Sequence, residues 1–266
     1  MPDNEHAHVR DPLALILREA GEIALIAAKK PLKRWMKGGN SPVSEADIAV
    51  NDFLTTRLPP LVPDAGWLSE ETEDNSARTA ANLVWIVDPI DGTRAYLDQR
   101  PDWTVSVALA EAGRPVVAGL YAPVTDEMFL AVAGAGATLN GARIRVTSGE
   151  VLAGASIAGP QGLLKRLAEI SPRISPRPKI HSLALRIARV AEGALDVAFA
   201  SRNSHDWDLA AADLLVHEAG GALSDFTGQP PRYNQPHPVH GALVAAGPAR
   251  HQALLALLRE RRGELA

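Results

Sequence analysis

The chain has 266 residues, 46% of them hydrophobic and 22% charged, which suits a folded globular protein with a sizeable core. A formal net charge of −4 offers no clustered Lys/Arg surplus for a phosphate backbone, so binding to a nucleic acid polymer is not expected. Cysteine is absent, which excludes disulfides, thiolate metal sites and cysteine nucleophiles, and no apolar run approaches the ~20 residues of a membrane span.

The polar segment Met1 to Asp11 lacks the basic-then-apolar layout of a signal peptide, so the cytoplasm is the expected location. Asp11-Pro12 reads as a helix start with Pro12 at the first helical position, followed by Leu13, Ile16, Leu17, Ala20, Ile23, Ala24 and Ala27 at helical spacing. This helix is expected to end by the Gly38-Gly39-Asn40 turn. Ser44 reads as the cap of a second helix that carries Ile48, Phe53 and Leu54 and stops at Pro59-Pro60. Taken alone, Asp47 in its first turn reads as an acid complementing the helix dipole. Strands are expected at Trp67-Leu68, Leu83 to Val87, Trp103 to Leu109 and Val116 to Leu120, with a turn at Ala112-Gly113, and Met128 to Val132 continues the sheet. Asn140-Gly141 is a two-residue hairpin signal before the alternating Arg143 to Thr147. Residues 1–150 thus read as an α+β half.

From Val151 the pattern changes. Helices at Gly162 to Glu169, Leu183 to Glu192 and Trp207 to Glu218 alternate with strands at Asp196 to Phe199 and Ala242 to Ala245, an α/β half over residues 151–266. Ser171 to Pro178 and Gln229 to Pro238 read as surface loops, the Pro230-Pro231-Arg232-Tyr233 run included. "GAGATLNG" (Gly134 to Gly141) is not a nucleotide loop, because Leu139 stands where the third glycine belongs and a hairpin follows.

Chemistry concentrates where apolar strands end in acids: Glu70 and Glu71 after Trp67-Leu68, Asp88 and Asp91 after Val84 to Val87. Ligand sites in open α/β sheets lie beyond strand carboxyl ends, so these acids are expected to share one cleft. Two carboxylates about 4 Å apart repel by roughly 4 kcal/mol at an effective dielectric near 20, so several together need a cation. An all-oxygen donor set without cysteine or a histidine pair suits Mg²⁺ or Mn²⁺. Pro89 fixes the loop so that Asp88, the Ile90 carbonyl and Asp91 converge, and Gly92-Thr93 opens a helix whose N–H groups can receive a phosphate. Each acid taken singly also reads as an ordinary turn or cap residue. Asp208 in "WDLAAA" (Trp207 to Ala212) has the same two readings, as helix-start acid or as ligand, and the small residues behind it let the helix approach the site.

"WIVDPIDGT" (Trp85 to Thr93), "WDLAAA" and the upstream "SEE" (Ser69 to Glu71) resemble the three signatures of the inositol monophosphatase superfamily, with "EAGG" (Glu218 to Gly221) following the last. The resemblance implies a layered αβαβα sandwich and a Mg²⁺-dependent phosphomonoesterase, in a family with many lithium-sensitive members. It implies two or three Mg²⁺ ions per site, held by the side chains of Glu70, Asp88, Asp91 and Asp208 and by the Ile90 carbonyl. It further implies that Thr93, paired with Asp47, orients and deprotonates the attacking water, and that Glu71 supports the ligands from behind. A homodimer is a further expectation from the family.

The substrate is less tightly marked than the reaction. Inositol monophosphatases usually carry a glutamate seven residues before the aspartate of the WD motif, and that position is Ser201 here, which counts against inositol phosphate. "SPVSEAD" (Ser41 to Asp47) and "SLALRIARVAEG" (Ser182 to Gly193) resemble the 3'(2'),5'-bisphosphate nucleotidases of sulfur metabolism, with Arg186 where that group tends to have a lysine. Arg186 then either holds a second phosphate or is a helix-surface arginine. The expected substrate is a small phosphorylated metabolite, 3'-phosphoadenosine 5'-phosphate first, bound by Gly92, Thr93, Arg186 and Ser201. Inositol phosphate and histidinol phosphate are alternatives, the latter because "DGTRAY" (Asp91 to Tyr96) resembles some histidinol-phosphate phosphatases. A catalytically silent binding protein of the same fold is the reading from outside enzymology. His205 reads as an exposed loop histidine, and Asp206 is ambiguous.

Overall fold

The computed structural model describes residues 6–261 apart from residue 32, residues 38–40 and residue 172. Its first helix, α1 (Arg10–Ala27), buries Leu13, Ile16, Leu17, Ala20 and Ala24, the stripe set by their spacing. The start of α1 differs from the sequence reading. It begins at Arg10, so Pro12 sits within the first turn, where a missing N–H costs nothing because those groups have no intrahelical acceptor. It stops at Ala27, ahead of Pro31, which disfavours the helical conformation in the residue before it. Beyond it β1 (Arg34–Lys37) pairs antiparallel with β2 (Ser41–Ser44), and the Gly38-Gly39-Asn40 turn lies outside the described residues. Helix α2 (Glu45–Arg57) starts on Ser44, whose Oγ accepts from the Ala46 N–H at 3.2 Å, and it ends before Pro59-Pro60 as expected.

Strand β3 (Gly66–Ser69) lies parallel to β4 (Leu83–Asp91), which leads through Gly92 into the short helix α3 (Thr93–Leu97). Antiparallel neighbours β5 (Thr104–Glu111), β6 (Arg114–Ala122), β7 (Glu127–Val132), β8 (Gly136–Leu139) and β9 (Ala142–Arg143) complete a seven-stranded sheet ordered β3-β4-β5-β6-β7-β8-β9. Ala112-Gly113 and Asn140-Gly141 each have two successive positive φ angles, 48° and 78° then 48° and 82°, the backbone that matches the twist of a tight hairpin. The expected strand from Arg143 to Thr147 ends at Arg143. Past it the Val146 N–H bonds the Ala219 carbonyl, so the chain leaves the ladder to cover a helix end.

The second sheet is built from β10 (Ser156–Ala158), β11 (Ser175–Pro176), β12 (Val197–Ala200), β14 (Ala222–Asp225) and β16 (Leu243–Ala246), in the order β11-β10-β12-β16-β14. Its helices are α4 (Gln161–Ile170), α5 (Leu183–Ala191), α6 (Asp206–Glu218) and α7 (Pro248–Glu260), and a two-residue ribbon pairs β13 (Ser204–His205) with β15 (Val239–His240). Three apolar clusters define the layers. Helices α1 and α2 cover one face of the first sheet, through Trp85, Val87, Val105 and Leu109. The opposite face, with Ile86, Ala108 and Phe129, packs on α5 and α6, which also bury Ala198, Leu223 and Ala245 of the second sheet. Helices α4 and α7 close the far face over Ile157, Phe199 and Val244. The fold is the layered αβαβα sandwich. No helix among the described residues is long and apolar enough to cross a membrane.

The Pro-rich loop from Gln229 to Pro238 is less superficial than its composition suggests. Tyr233 within it is fully buried and donates its hydroxyl to Asp213 Oδ2 at 3.0 Å.

Candidate active site

The middle of the site is the end of β4. Asp88 pairs across the sheet with Ser106 and Asp91 with Thr104, so three steps on β4 oppose two on β5. This bulge re-aims the strand at its last turn and leaves Asp88 and Asp91 both buried. Asp208, in the first turn of α6, completes a set of three carboxylates whose nearest oxygens all lie within 4.8 Å of one another. The buried run Ala210, Ala211 and Ala212 is what lets α6 lie against the sheet at that point.

Each acid is fixed by its own donors. The Ile90 N–H bonds Asp88 Oδ1 at 3.0 Å. Asp91 receives the Ser182 hydroxyl at 2.5 Å and the Ala184 N–H at 2.7 Å on Oδ2, and the Leu183 N–H at 3.2 Å on Oδ1. It therefore occupies the N-terminus of α5, where free N–H groups and the helix dipole favour an anion. Asp208 Oδ2 accepts from the His205 N–H at 2.6 Å. Burial and the neighbouring charges of Glu70, Asp91, Asp208 and Asp47 push the Asp88 carboxyl well above the usual carboxylate range. Burial and the Asp208 charge raise Asp91 to about 7, against the pull of its three hydrogen bonds. Glu70 stands outside the 4.8 Å set, yet burial with the charges of Asp208 and Glu71 raises it to about 8, and Lys37 partly opposes this.

This crowding is what a hard dication relieves. An all-oxygen set with no sulfur and no histidine ligand among the described residues fits Mg²⁺, with Asp88, Asp91 and Asp208 as its holders and Glu70 in electrostatic reach. Beside it stands a hydroxyl–carboxylate pair. Thr93 Oγ1 lies 3.3 Å from Asp47 Oδ1 and 3.1 Å from the Ile90 carbonyl, which keeps a second lone pair. Asp47 is also the capping acid of α2, its Oδ2 accepting the Ser44 N–H at 2.9 Å and the Ser44 hydroxyl at 2.6 Å. One oxygen thus serves the helix and the other serves Thr93. Burial raises the Asp47 carboxyl to about 6 despite the two bonds from Ser44.

Glu71 is nearly buried, and Lys37 Nζ reaches its Oε2 at 2.8 Å while also bonding the Glu70 carbonyl. Gly92 has φ 95°, and a Cβ added there would meet Ser182 N at 3.0 Å and the Asp102 carbonyl at 3.1 Å, so the turn requires glycine.

Arg186 is not the helix-surface arginine that was one of its two readings. It is buried, its guanidinium donating to the Phe199 carbonyl at 3.1 Å and the Ile180 carbonyl at 2.7 Å, which ties α5 to β12, while Nε has no partner among the described residues. Ser201 is exposed beyond the end of β12 and lines a cavity of about 910 Å³ with Leu163, Arg202 and Phe226, apart from the carboxylate set. His205 is half-buried, its ring stacked on Trp207 with centroids 4.5 Å apart. Asp206 is fully buried, accepting from the Asn234 N–H and the His240 ring, both at 2.7 Å. Sequence reading missed the grip of α5 on Asp91 and the reach of Lys37. Ser182 ahead of an apolar helical run was the available signal for the first.

A bulged strand end carrying carboxylates, a helix bringing another acid, and a hydroxyl–carboxylate pair beside them define a metal-assisted phosphatase site. The chain belongs to the inositol monophosphatase family, whose model matches residues 7–263. It is 30% identical over 254 residues to the Nus factor SuhB of Salmonella typhimurium, covering 91% of this chain and 92% of that one. It is 33% identical over 257 residues to the inositol-1-monophosphatase of Mesorhizobium japonicum, covering 91% and 90%. The crystal structure of the extragenic suppressor protein SuhB from Bartonella henselae superposes with a TM-score of 0.83 at 29% identity, over 94% of this chain and 98% of that one. The Thermotoga maritima IMPase also gives 0.83, at 25% identity over 96% and 98%.

Proposed function

We propose that the chain hydrolyses a phosphate monoester of a small polyol, with inositol 1-phosphate the first candidate. The observation that carries this reading is the buried set Asp88, Asp91 and Asp208 beside the Thr93–Asp47 pair. Mg²⁺ bound there supplies charge neutralisation for the phosphate and a more acidic attacking water. Glu70 and the Ile90 carbonyl complete the holding set, and Lys37 keeps Glu71 in place behind it. Thr93 orients the water through its hydroxyl and passes the proton to Asp47 Oδ1, 3.3 Å away. The N–H groups at Gly92 and Thr93 receive the phosphate. No covalent nucleophile is needed.

The names of the Mesorhizobium and Thermotoga relatives support the inositol reading. Ser201 in place of a glutamate weighs against it, while the two carbonyls that Arg186 already binds weigh against a bisphosphate nucleotide. The Nus factor name of the Salmonella relative motivates a second reading, a binding role that needs no turnover.

The test is phosphate release from inositol 1-phosphate, histidinol phosphate and 3'-phosphoadenosine 5'-phosphate, each with Mg²⁺ or EDTA, with Asp88→Asn as control. Mg²⁺-dependent release that Asp88→Asn abolishes is expected. Release that survives EDTA or the substitution would sink the site assignment, and preference for the nucleotide would overturn the polyol.

A further inference from the structure

Next to Gly92 lies a second polar cluster that no step above uses. Asp102, just ahead of β5, accepts the His181 N–H at 2.8 Å and the His181 ring Nδ1 at 2.7 Å on Oδ2, while Arg100 Nε donates to Oδ1 at 3.0 Å. Its carbonyl takes the Ser182 N–H at 3.1 Å. Burial works against ionisation of Asp102, and these donors outweigh it, holding the carboxyl below the usual range. Asp102 is therefore an anion that can only accept.

We propose that His181, held by Asp102, is a specificity-determining residue whose free ring nitrogen accepts a hydroxyl of the substrate's leaving group. This rests on the polyol phosphatase reading above.

Three observations support it. The first is place. His181 directly precedes Ser182, Leu183 and Ala184, which grip Asp91, and the backbone of Gly92 lies against both Ser182 N and the Asp102 carbonyl. The phosphate-receiving turn, the start of β5 and the start of α5 thus form one wall, and His181 stands in it. The second is orientation. An anionic acceptor on Nδ1 fixes the ring proton there, so a ring with one proton presents Nε2 as an acceptor, and Nε2 has no partner among the described residues although the side chain is only 21% exposed. The third is redundancy. The His181 and Ser182 N–H groups already pin the start of α5 to Asp102, so the ring bond is a further tie at a point the backbone holds. What it adds is a stationary acceptor near the phosphate site.

An acceptor selects hydroxyl donors, as on a polyol or a ribose, and gains nothing from a leaving group without one. The experiment compares kcat/KM for inositol 1-phosphate and for p-nitrophenyl phosphate, which has no leaving-group hydroxyl, in wild type, His181→Ala, His181→Asn and Asp102→Asn. Loss of one accepted hydrogen bond predicts a fall of about tenfold for inositol 1-phosphate in His181→Ala, with p-nitrophenyl phosphate within about twofold. His181→Asn, which restores an acceptor oxygen, is expected to recover part of the loss, and Asp102→Asn, which releases the tautomer, to show part of it. Equal falls on both esters would mean the pair acts through the fold or the metal site, and no fall on the polyol ester would mean no contact; either overturns the proposal. Wild type that releases phosphate from neither ester would overturn the phosphatase reading as well.

Discussion

Replacing Asp88 by asparagine tests the central physical claim, that the carboxylate set is held together at a cost to the fold when no cation is bound. Asp88 faces Asp91 and Asp208 with oxygens within 4.8 Å, and each such pair repels by about 3 kcal/mol at an effective dielectric near 20. Asparagine keeps an oxygen for the Ile90 N–H, so the loop loses no hydrogen bond. The wild-type protein sheds part of the repulsion by binding protons, as the rise of Asp91 to about 7 shows, so the gain on substitution is smaller than the two pairs together. We expect about 2 kcal/mol in EDTA at pH 8, or a Tm higher by about 4–8 °C for a chain of this size. At pH 5, where Asp91 and Glu70 bind protons, the gain shrinks. Mg²⁺ raises the wild-type Tm and leaves the variant's nearly unchanged, and turnover is lost. Thermal unfolding in EDTA and in Mg²⁺ at the two pH values reads all of this. A variant less stable than wild type in EDTA at pH 8 would refute the reasoning, because the acids would then be satisfied without a cation.

Thr93→Ala is expected to lower kcat by about 10²–10⁴ with little change in Tm, whereas Asp47→Asn loses similar activity and also about 1 kcal/mol of stability, since Asp47 Oδ2 caps α2. Asp91 and Glu70 have folded pKa values, about 7 and about 8, above their ordinary 3.8 and 4.5, so their contribution to the stability of the metal-free protein is full below those ordinary values and lost as pH rises through 7 to 8. The Tm increment given by Mg²⁺ must therefore grow from pH 5 to pH 8, and an increment independent of pH would contradict the assignment. Gly92→Ala, at φ 95° with 3.0 Å to Ser182 N, should cost about 1–3 kcal/mol in unfolding measurements and depress activity further by pushing α5 off Asp91. Arg186→Met strands the Phe199 and Ile180 carbonyls and should destabilise by about 1–3 kcal/mol for each, while kcat/KM of folded protein on small monoesters stays within about twofold. A selective loss on 3'-phosphoadenosine 5'-phosphate would restore Arg186 as a phosphate reader.

The layers were legible because period and punctuation agree along most of the chain. Ser44 and Pro59-Pro60 bracket α2 as they should, and the hairpins at Ala112-Gly113 and Asn140-Gly141 have the turn chemistry their backbone demands. Helix α7 went unread, although Gly247-Pro248 followed by Leu254, Leu255 and Leu258 is an ordinary helix signature. Strands β10 and β14 are three and four residues long, too short to show a period. Of the site, the acids of "DPID" and Asp208 were visible as residue types at strand and helix ends, and the structure gathers them. Their geometry was not visible, because it depends on a bulge in the pairing of β4 with β5 and on a helix from elsewhere in the chain. The burial of Arg186 was hidden for a physical reason: charge predicts exposure, but a guanidinium with two carbonyls to bind can be buried.

The carboxylate set has a consequence for the order of events during synthesis. Asp88 and Asp91 leave the ribosome early, on a strand that can pair with its neighbours at once, while Asp208 and the Ser182–Ala184 segment that clasps Asp91 come much later. Until α5 and α6 have settled onto the first sheet, Glu70, Asp88 and Asp91 lack Asp208 and the clasp of α5, and the carboxylate set is incomplete. The set is complete only once the second sheet and its helices have packed against the first.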